Sequence, residues 1–215
     1  VPVAALAQHS PQLLPLLILP LAIVYRVLRS RYHLQDGTRA LLEQIADLVD
    51  LRDPYTGGHS RRVAEYTARM LEQLNLSGHD ADLITTAARI HDIGKVGIPD
   101  AILNKPGRLT DEERLNMERH PVLGANLLAR YPDFARGVAI VRHHHERIDG
   151  AGYPDGLRGT TIPFGARVIA VADTWDALTS DRPYRAGMDA ARAAAILRAG
   201  RGTQWAPELV DALLA

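Results

Sequence analysis

Nine histidines and no cysteine stand in this chain of 215 residues. Any metal it holds must therefore be held by imidazole and carboxylate. Thiolate zinc sites, iron–sulfur clusters, cysteine nucleophiles and thioredoxin-like pairs are all excluded. The first informative run is His91-Asp92-Ile93-Gly94-Lys95, at the end of an apolar helical stretch. A His and an Asp side by side at a helix end can both reach one metal cluster. The imidazole supplies one nitrogen, and the two carboxylate oxygens can bridge two ions. A satisfied polar pair at a helix end fits the same two residues. Lys95, three residues after Asp92, returns to its side of a helix and suits a phosphoryl oxygen better than a metal. The second run is His143-His144-His145-Glu146. On a helix, neighbours differ in direction by about 100°. Two of the three histidines can then straddle one metal while the third faces elsewhere. Metal sites in helical bundles are built from such inward-projecting residues. Asp149-Gly150-Ala151-Gly152-Tyr153-Pro154 follows as a turn.

The elements that must position these residues read as helices. Residues 59–75 place Val63, Tyr66, Met70 and Leu74 on one face, and 80–93 follows with Asp80 near its cap. Residues 94–110 hold three Gly and two Pro and mark a connection. Thr110 and Glu113 form a capping-box pattern that starts the next helix. Further helices are expected over about 121–130, 133–146, 166–180, 188–199 and 207–214. No run alternates like a strand beyond four residues. The expected fold is all-α, a bundle of about seven helices, with no repeat and no low-complexity tract.

Lys+Arg and Asp+Glu are 25 each, so the formal charge is zero. That argues against a protein that coats polymeric nucleic acid through bulk electrostatics, but leaves room for a local cationic pocket. Residues 1–25 carry no charge, and Arg26, Arg29 and Arg31 follow. This predicts a transmembrane segment over 1–30 with its C-terminal side in the cytoplasm. A hydrophobic helix packed on the body fits the same residues. Residues 31–52 read as a helical connector. Leu34, Leu41, Ile45 and Leu48 sit at helical spacing there, either as a short parallel coiled coil or as one amphipathic helix packed on the domain.

Residues 53–215 then form the domain that bears the histidine runs, and its motifs resemble the HD-GYP family, a branch of the HD superfamily of metal-dependent phosphohydrolases. The matching runs are Tyr55 to Ser60, His91 to Pro99, His120-Pro121, His144 to Pro154, and Ala172-Asp173 with Leu178 to Arg185. They stand in the family's order. The resemblance implies an HD-type helical bundle with two divalent ions, iron or manganese. His59, His91, Asp92 and Asp173 would hold one ion. Asp92, His120, His144 and His145 would hold the other, with Asp92 bridging. His143 is left over, and His9, His33 and His79 match nothing. A third ion in some family members uses a Glu four residues before the first histidine; Tyr55 stands there, so two ions are expected. Ile148 stands where the family usually has Trp, which bears on packing near the loop rather than on ligation.

The resemblance further implies hydrolysis of cyclic di-GMP, a bacterial second messenger, to pGpG and in some cases on to GMP. Asp92 and Lys95 are the expected catalytic residues, with Lys95, Arg182 and Arg185 on the two phosphodiesters. Gly152-Tyr153-Pro154 would either prop His144 and His145 or dock a GGDEF-type cyclase. Expected associations are the inner membrane, with the catalytic domain in the cytoplasm, and a homodimer through residues 34–52. Two alternatives accompany this expectation. One is a catalytically silent cyclic-dinucleotide receptor, and the other is an HD-type hydrolase of another cyclic dinucleotide.

Overall fold

The computed structural model describes residues 14–52, 57–181 and 186–215. It is helical as expected, and among the described residues there is no strand, only an isolated bridge between Arg201 and Trp205. The chain divides into two units, Val1–Leu41 and Leu42–Ala215. The first helix, α1 (Leu14–Arg52), runs through the division.

Within the second unit come α2 (His59–Gln73), α3 (His79–Arg89), α4 (Asp100–Leu103), α5 (Asp111–Met117) and α6 (His120–Leu128). Then follow α7 (Ala135–Arg142), α8 (Phe164–Thr179), α9 (Ala190–Gly200) and α10 (Pro207–Leu214). These nine helices among the described residues exceed the seven or so expected, partly because the connection after Lys95 contains the single turn α4. A 3₁₀ segment, Ile93–Gly97, precedes it.

Local chemistry fixes the helix starts. Thr110 Oγ1 accepts from the Glu113 N–H while Glu113 Oε2 accepts from the Thr110 N–H, so the expected capping box is complete. Asp189 caps α9 by accepting from the Arg192 N–H. Pro121 and Pro207 sit in the first turns of α6 and α10, where a missing N–H costs nothing.

Helix α8 is the hub. It contacts α2, α3, α7, α9 and α10, and Val168, Ile169, Val171 and Ala172 are fully buried. Around it pack Val63, Met70 and Leu71 of α2, Ala87 and Ala88 of α3, Leu197 of α9, and Leu209 and Val210 of α10. A helix apolar on nearly every side belongs at the centre of a bundle. That position places Asp173, on α8, inside the domain.

The described residues do not support the expected transmembrane segment. Among the described residues no helix is long and apolar enough to cross a membrane. The uncharged part of α1 runs from Leu14 to Tyr25 before Arg26 arrives. Residues 1–13 of the expected segment lie outside the described residues.

The end of α1 does two things at once. Leu42, Ala46 and Val49 are buried, and Leu42 and Ala46 join the core of the second unit. Leu34, Leu41 and Leu48, spaced by seven, are all more than half exposed.

Candidate metal centre

Each histidine of the two motifs is placed by a helix end. His59 is the first residue of α2, and His120 is the first of α6. His91 and Asp92 form the turn between α3 and the 3₁₀ segment. Helix α7 stops at Arg142, so His143, His144 and His145 occupy a turn. The helical geometry expected for these three is therefore corrected; the chain reverses there, and two successive imidazoles face one centre without a helix beneath them. Only Asp173 lies in mid-helix.

Two groups of donor atoms result. Asp92, His120, His144 and His145 form one, and His59, His91 and Asp173 the other, each group's donors lying within 4.8 Å of one another. Asp92 touches both. Its Oδ1 is 3.1 Å from His120 Nε2 and 3.9 Å from His144 Nε2. Its Oδ2 is 3.5 Å from His91 Nε2, 3.9 Å from His59 Nε2 and 2.8 Å from the Lys95 ammonium. The 3₁₀ geometry explains that last contact, since residues i and i+3 eclipse there.

The hydrogen-bond partners fix which ring nitrogens face inward. His91, His120 and His144 each direct Nδ1 to a backbone carbonyl, of Ala88, Met117 and Val141, at 2.7–2.9 Å. A carbonyl only accepts, so the proton sits on Nδ1 and Nε2 presents a bare lone pair. His91 Nε2 is buried with no hydrogen-bond partner. His120 Nε2 and His144 Nε2 face each other at 3.3 Å. Orphaned, converging lone pairs of this kind are what a cation would satisfy, and carbonyl-oriented imidazoles are the usual outer support of metal ligands. An all-N/O donor set suits first-row divalent ions.

The electrostatics agree. Burial works to raise Asp92, but Lys95 and the imidazoles of His91 and His120 outweigh it and hold the carboxylate well below its usual range. Asp173 is likewise held low, its burial overcome by His59. Burial and neighbouring imidazoles push His144 down, and His145 falls to about 3. Burial opposes protonation of His59 too, yet hydrogen bonds to Asp173 and Asp176 push it up to about 10. Ionised Asp92 and Asp173 beside the neutral imidazoles of His144 and His145 make a cation-binding cluster.

Outer residues hold the ligands. A Cβ on Gly94 would lie 1.9 Å from the His120 carbonyl oxygen, so only Gly lets the Asp92 turn approach α6. A Cβ on Gly152 would lie 2.4 Å from the Arg147 nitrogen and 2.6 Å from the His145 carbonyl oxygen. The loop thus folds back against the His145 backbone, and the Tyr153 ring lies 4.8 Å from the His145 ring, centroid to centroid. Buried Glu146 accepts from the N–H groups of Asp155 and Leu157 and closes the same loop. His143 turns away, bonding the Ala139 carbonyl and Asp155.

Asp176 lies under His59, its Oδ2 2.7 Å from His59 Nδ1, and it takes a forked pair from Arg62. Asp176, Arg62 and Glu146 belonged to no ligand pattern in the sequence. The signal for Asp176 was its place one turn after Asp173 on the same helix. His33 is exposed on α1, and His79 begins α3. Arg182, Arg185, Tyr55 and His9 lie outside the described residues.

The HD domain family model matches residues 43–209. Over 90% of its length the chain is 42% identical to the cyclic di-GMP phosphodiesterase response regulator RpfG of Xanthomonas campestris, covering 52% of that protein. It is 41% identical over 77% of its length to 3'3'-cGAMP-specific phosphodiesterase 3 of Vibrio cholerae, covering 36% of it. The chain thus spans about half or less of the length of these relatives. Among solved structures, an HD-GYP-type protein from Bdellovibrio bacteriovorus, Bd1817, superposes with a TM-score of 0.61. Its identity is 24%, over 74% of this chain and 52% of that one, so this likeness speaks for the fold alone.

Proposed function

The chain belongs to the HD domain family, and from that premise we propose that it is an HD-GYP-type phosphodiesterase that hydrolyses cyclic di-GMP to pGpG. The proposed cofactors are two divalent ions, iron or manganese. The observation that carries the reading is the position of Asp92, whose two oxygens face different histidine groups. That is the disposition of a carboxylate shared by two ions. The name of the Xanthomonas relative supports the substrate.

In this reading His59, His91, Asp92 and Asp173 hold one ion, and Asp92, His120, His144 and His145 the other. When bound, such a pair lowers the pKa of water and neutralises charge at a phosphodiester. The chain's own groups do the rest. Lys95, 2.8 Å from Asp92 at the rim of the cluster, meets a non-bridging phosphoryl oxygen as charge builds. Arg182 and Arg185 take the second phosphodiester, for which a guanidinium fork is suited. Burial keeps the imidazoles of His144 and His145 neutral and ready to donate lone pairs, and the Tyr153 ring lies against His145.

The experiment is anaerobic reconstitution with Fe(II) or Mn(II), a count of ions per chain, and a panel of cyclic dinucleotides. Two ions with cyclic di-GMP cleaved is the expected result. The Vibrio relative's name favours one second reading, cleavage of a hybrid GMP–AMP ring; faster turnover of that ring on the panel would establish it. Two ions and no turnover of any ring would leave a silent receptor.

Two associations complete the proposal. The exposed, heptad-spaced Leu34, Leu41 and Leu48 suit a homodimer, which sedimentation as monomer alone would overturn. The packing of Tyr153 on His145 supports the loop as a prop. Docking of a GGDEF-type cyclase there would be supported instead by Tyr153→Ala keeping activity while losing the cyclase in a pull-down.

A further inference from the structure

The last turns of α1 lie in the second unit and carry three polar side chains directed at the segments that bear the metal-centre residues. Asp50 is buried, and its carboxylate accepts from the Ser60 N–H at 3.0 Å and from the Ser60 hydroxyl at 2.8 Å. Ser60 follows His59 in the first turn of α2. The N-cap of α2, Gly58, offers no side-chain acceptor. The capping carboxylate therefore comes from α1, ten residues earlier, and satisfies a helix-start N–H that would otherwise be buried and unpaired.

Arg52 does the matching work on the other side. Its Nη1 donates to the carbonyls of Lys95 and Val96, each at 3.1 Å, and its Nη2 to that of Ile98 at 2.6 Å. These carbonyls close the 3₁₀ segment that follows Asp92 and includes Lys95. The additional pair with Asp100 is largely exposed and contributes little by itself. Asp47 is ion-paired with Arg89, two residues before His91. Buried Leu42, Ala46 and Val49 fix the helix that presents all three.

We propose that Asp50 and Arg52 are positioning residues of the metal centre. By gripping α2 at Ser60 and the 93–98 segment at its carbonyls, the end of α1 holds the His59 side and the Asp92–Lys95 side at one separation. A twist or slide of α1 at this point moves both sides together, so α1 is the element through which movement would reach the centre. The proposal rests on the metal-centre reading above.

The test uses the whole chain with Asp50→Asn and Arg52→Lys, both close in size to the originals. Asparagine keeps one acceptor for Ser60, and lysine replaces a planar fork by a single ammonium. The probe is Mn(II), with affinity read from the EPR signal of the free ion and the coupling of the bound pair read from the same spectra. The thermal midpoint of the metal-free protein accompanies each variant. The expected result is affinity weakened about tenfold in each variant, as for outer-shell partners of metal ligands, with an altered coupled spectrum and a metal-free midpoint close to that of the parent chain. Affinity within about threefold of the parent, or a loss fully accounted for by a lowered metal-free midpoint, overturns the proposal. Neither readout needs a cyclic dinucleotide, so failure of the proposed substrate is distinguished from failure of the clamp. Failure of the parent chain to bind Mn(II) would instead remove the metal-centre reading itself.

Discussion

Asp176 shows how much of the site's rigidity comes from residues that no ion would touch. Its carboxylate is buried and takes contacts from His59, both arms of the Arg62 fork, and Ser180. Burial tends to raise it, but His59 and Arg62 overcome that and hold it at about 2. It is thus ionised whenever the protein is folded near neutrality, and it fixes the proton of His59 on Nδ1. Asp176→Asn is expected to weaken Mn(II) binding about 10- to 100-fold without unfolding the chain, checked by titration and circular dichroism. His143→Ala should leave metal content unchanged, because that ring points to Asp155 instead of the cluster; metal analysis of the purified variant checks it. Of the seven candidate donor residues, His91, Asp92, His144 and His145 stand in runs that draw the eye in the sequence, whereas His59, His120 and Asp173 came in only through the family resemblance. Asp176 and Arg62 could not be picked out there, because they meet across 114 residues of chain and each by itself is an ordinary helix-surface charge.

Helix ends, more than helix faces, build this centre. The apolar periodicity that marks α2, α3 and α8 in the sequence concerns burial, and it says little about where a helix stops. This is why the helix expected over 133–146 ends at Arg142, leaving His144 and His145 in a turn. The capping box at Thr110 was visible because it is local, with both partners within four residues. Thr110→Ala should lower the thermal midpoint by a few degrees and leave metal affinity untouched, which a melting curve and a Mn(II) titration read together. Gly94→Ala is the opposite case. Its Cβ has no room beside the His120 backbone, so the Asp92 turn must move away from α6. The overpacking cost is about 1–3 kcal/mol, and bound metal should fall with it.

At the scale of the whole molecule, the all-helical fold followed from composition and spacing, whereas the division of the chain did not. The join falls between Leu41 and Leu42, inside α1, where the sequence shows an unbroken helical pattern. Leu42, Ala46 and Val49 carry the same apolar signal whether they face a domain or a second helix; only packing reveals that they face the domain. The apolar N-terminal stretch read as a membrane span because it lacks charge, but no helix among the described residues is long and apolar enough to cross a membrane. Metal should also act on the whole domain, since the proposed ligands join α2, α6, α8 and two turns. An ion at a hundredfold its dissociation constant adds about 2.7 kcal/mol per site. For a chain of this size that corresponds to about 5–10 °C, so chelation should lower the melting midpoint by at least that much.

The most direct test of the central claim is a mass-spectrometric time course of cyclic di-GMP with the Mn(II)-loaded chain, run beside Asp92→Ala. The expected result is that pGpG accumulates with the parent chain and not with the variant. Cyclic di-GMP left intact by a chain that holds two ions would contradict it.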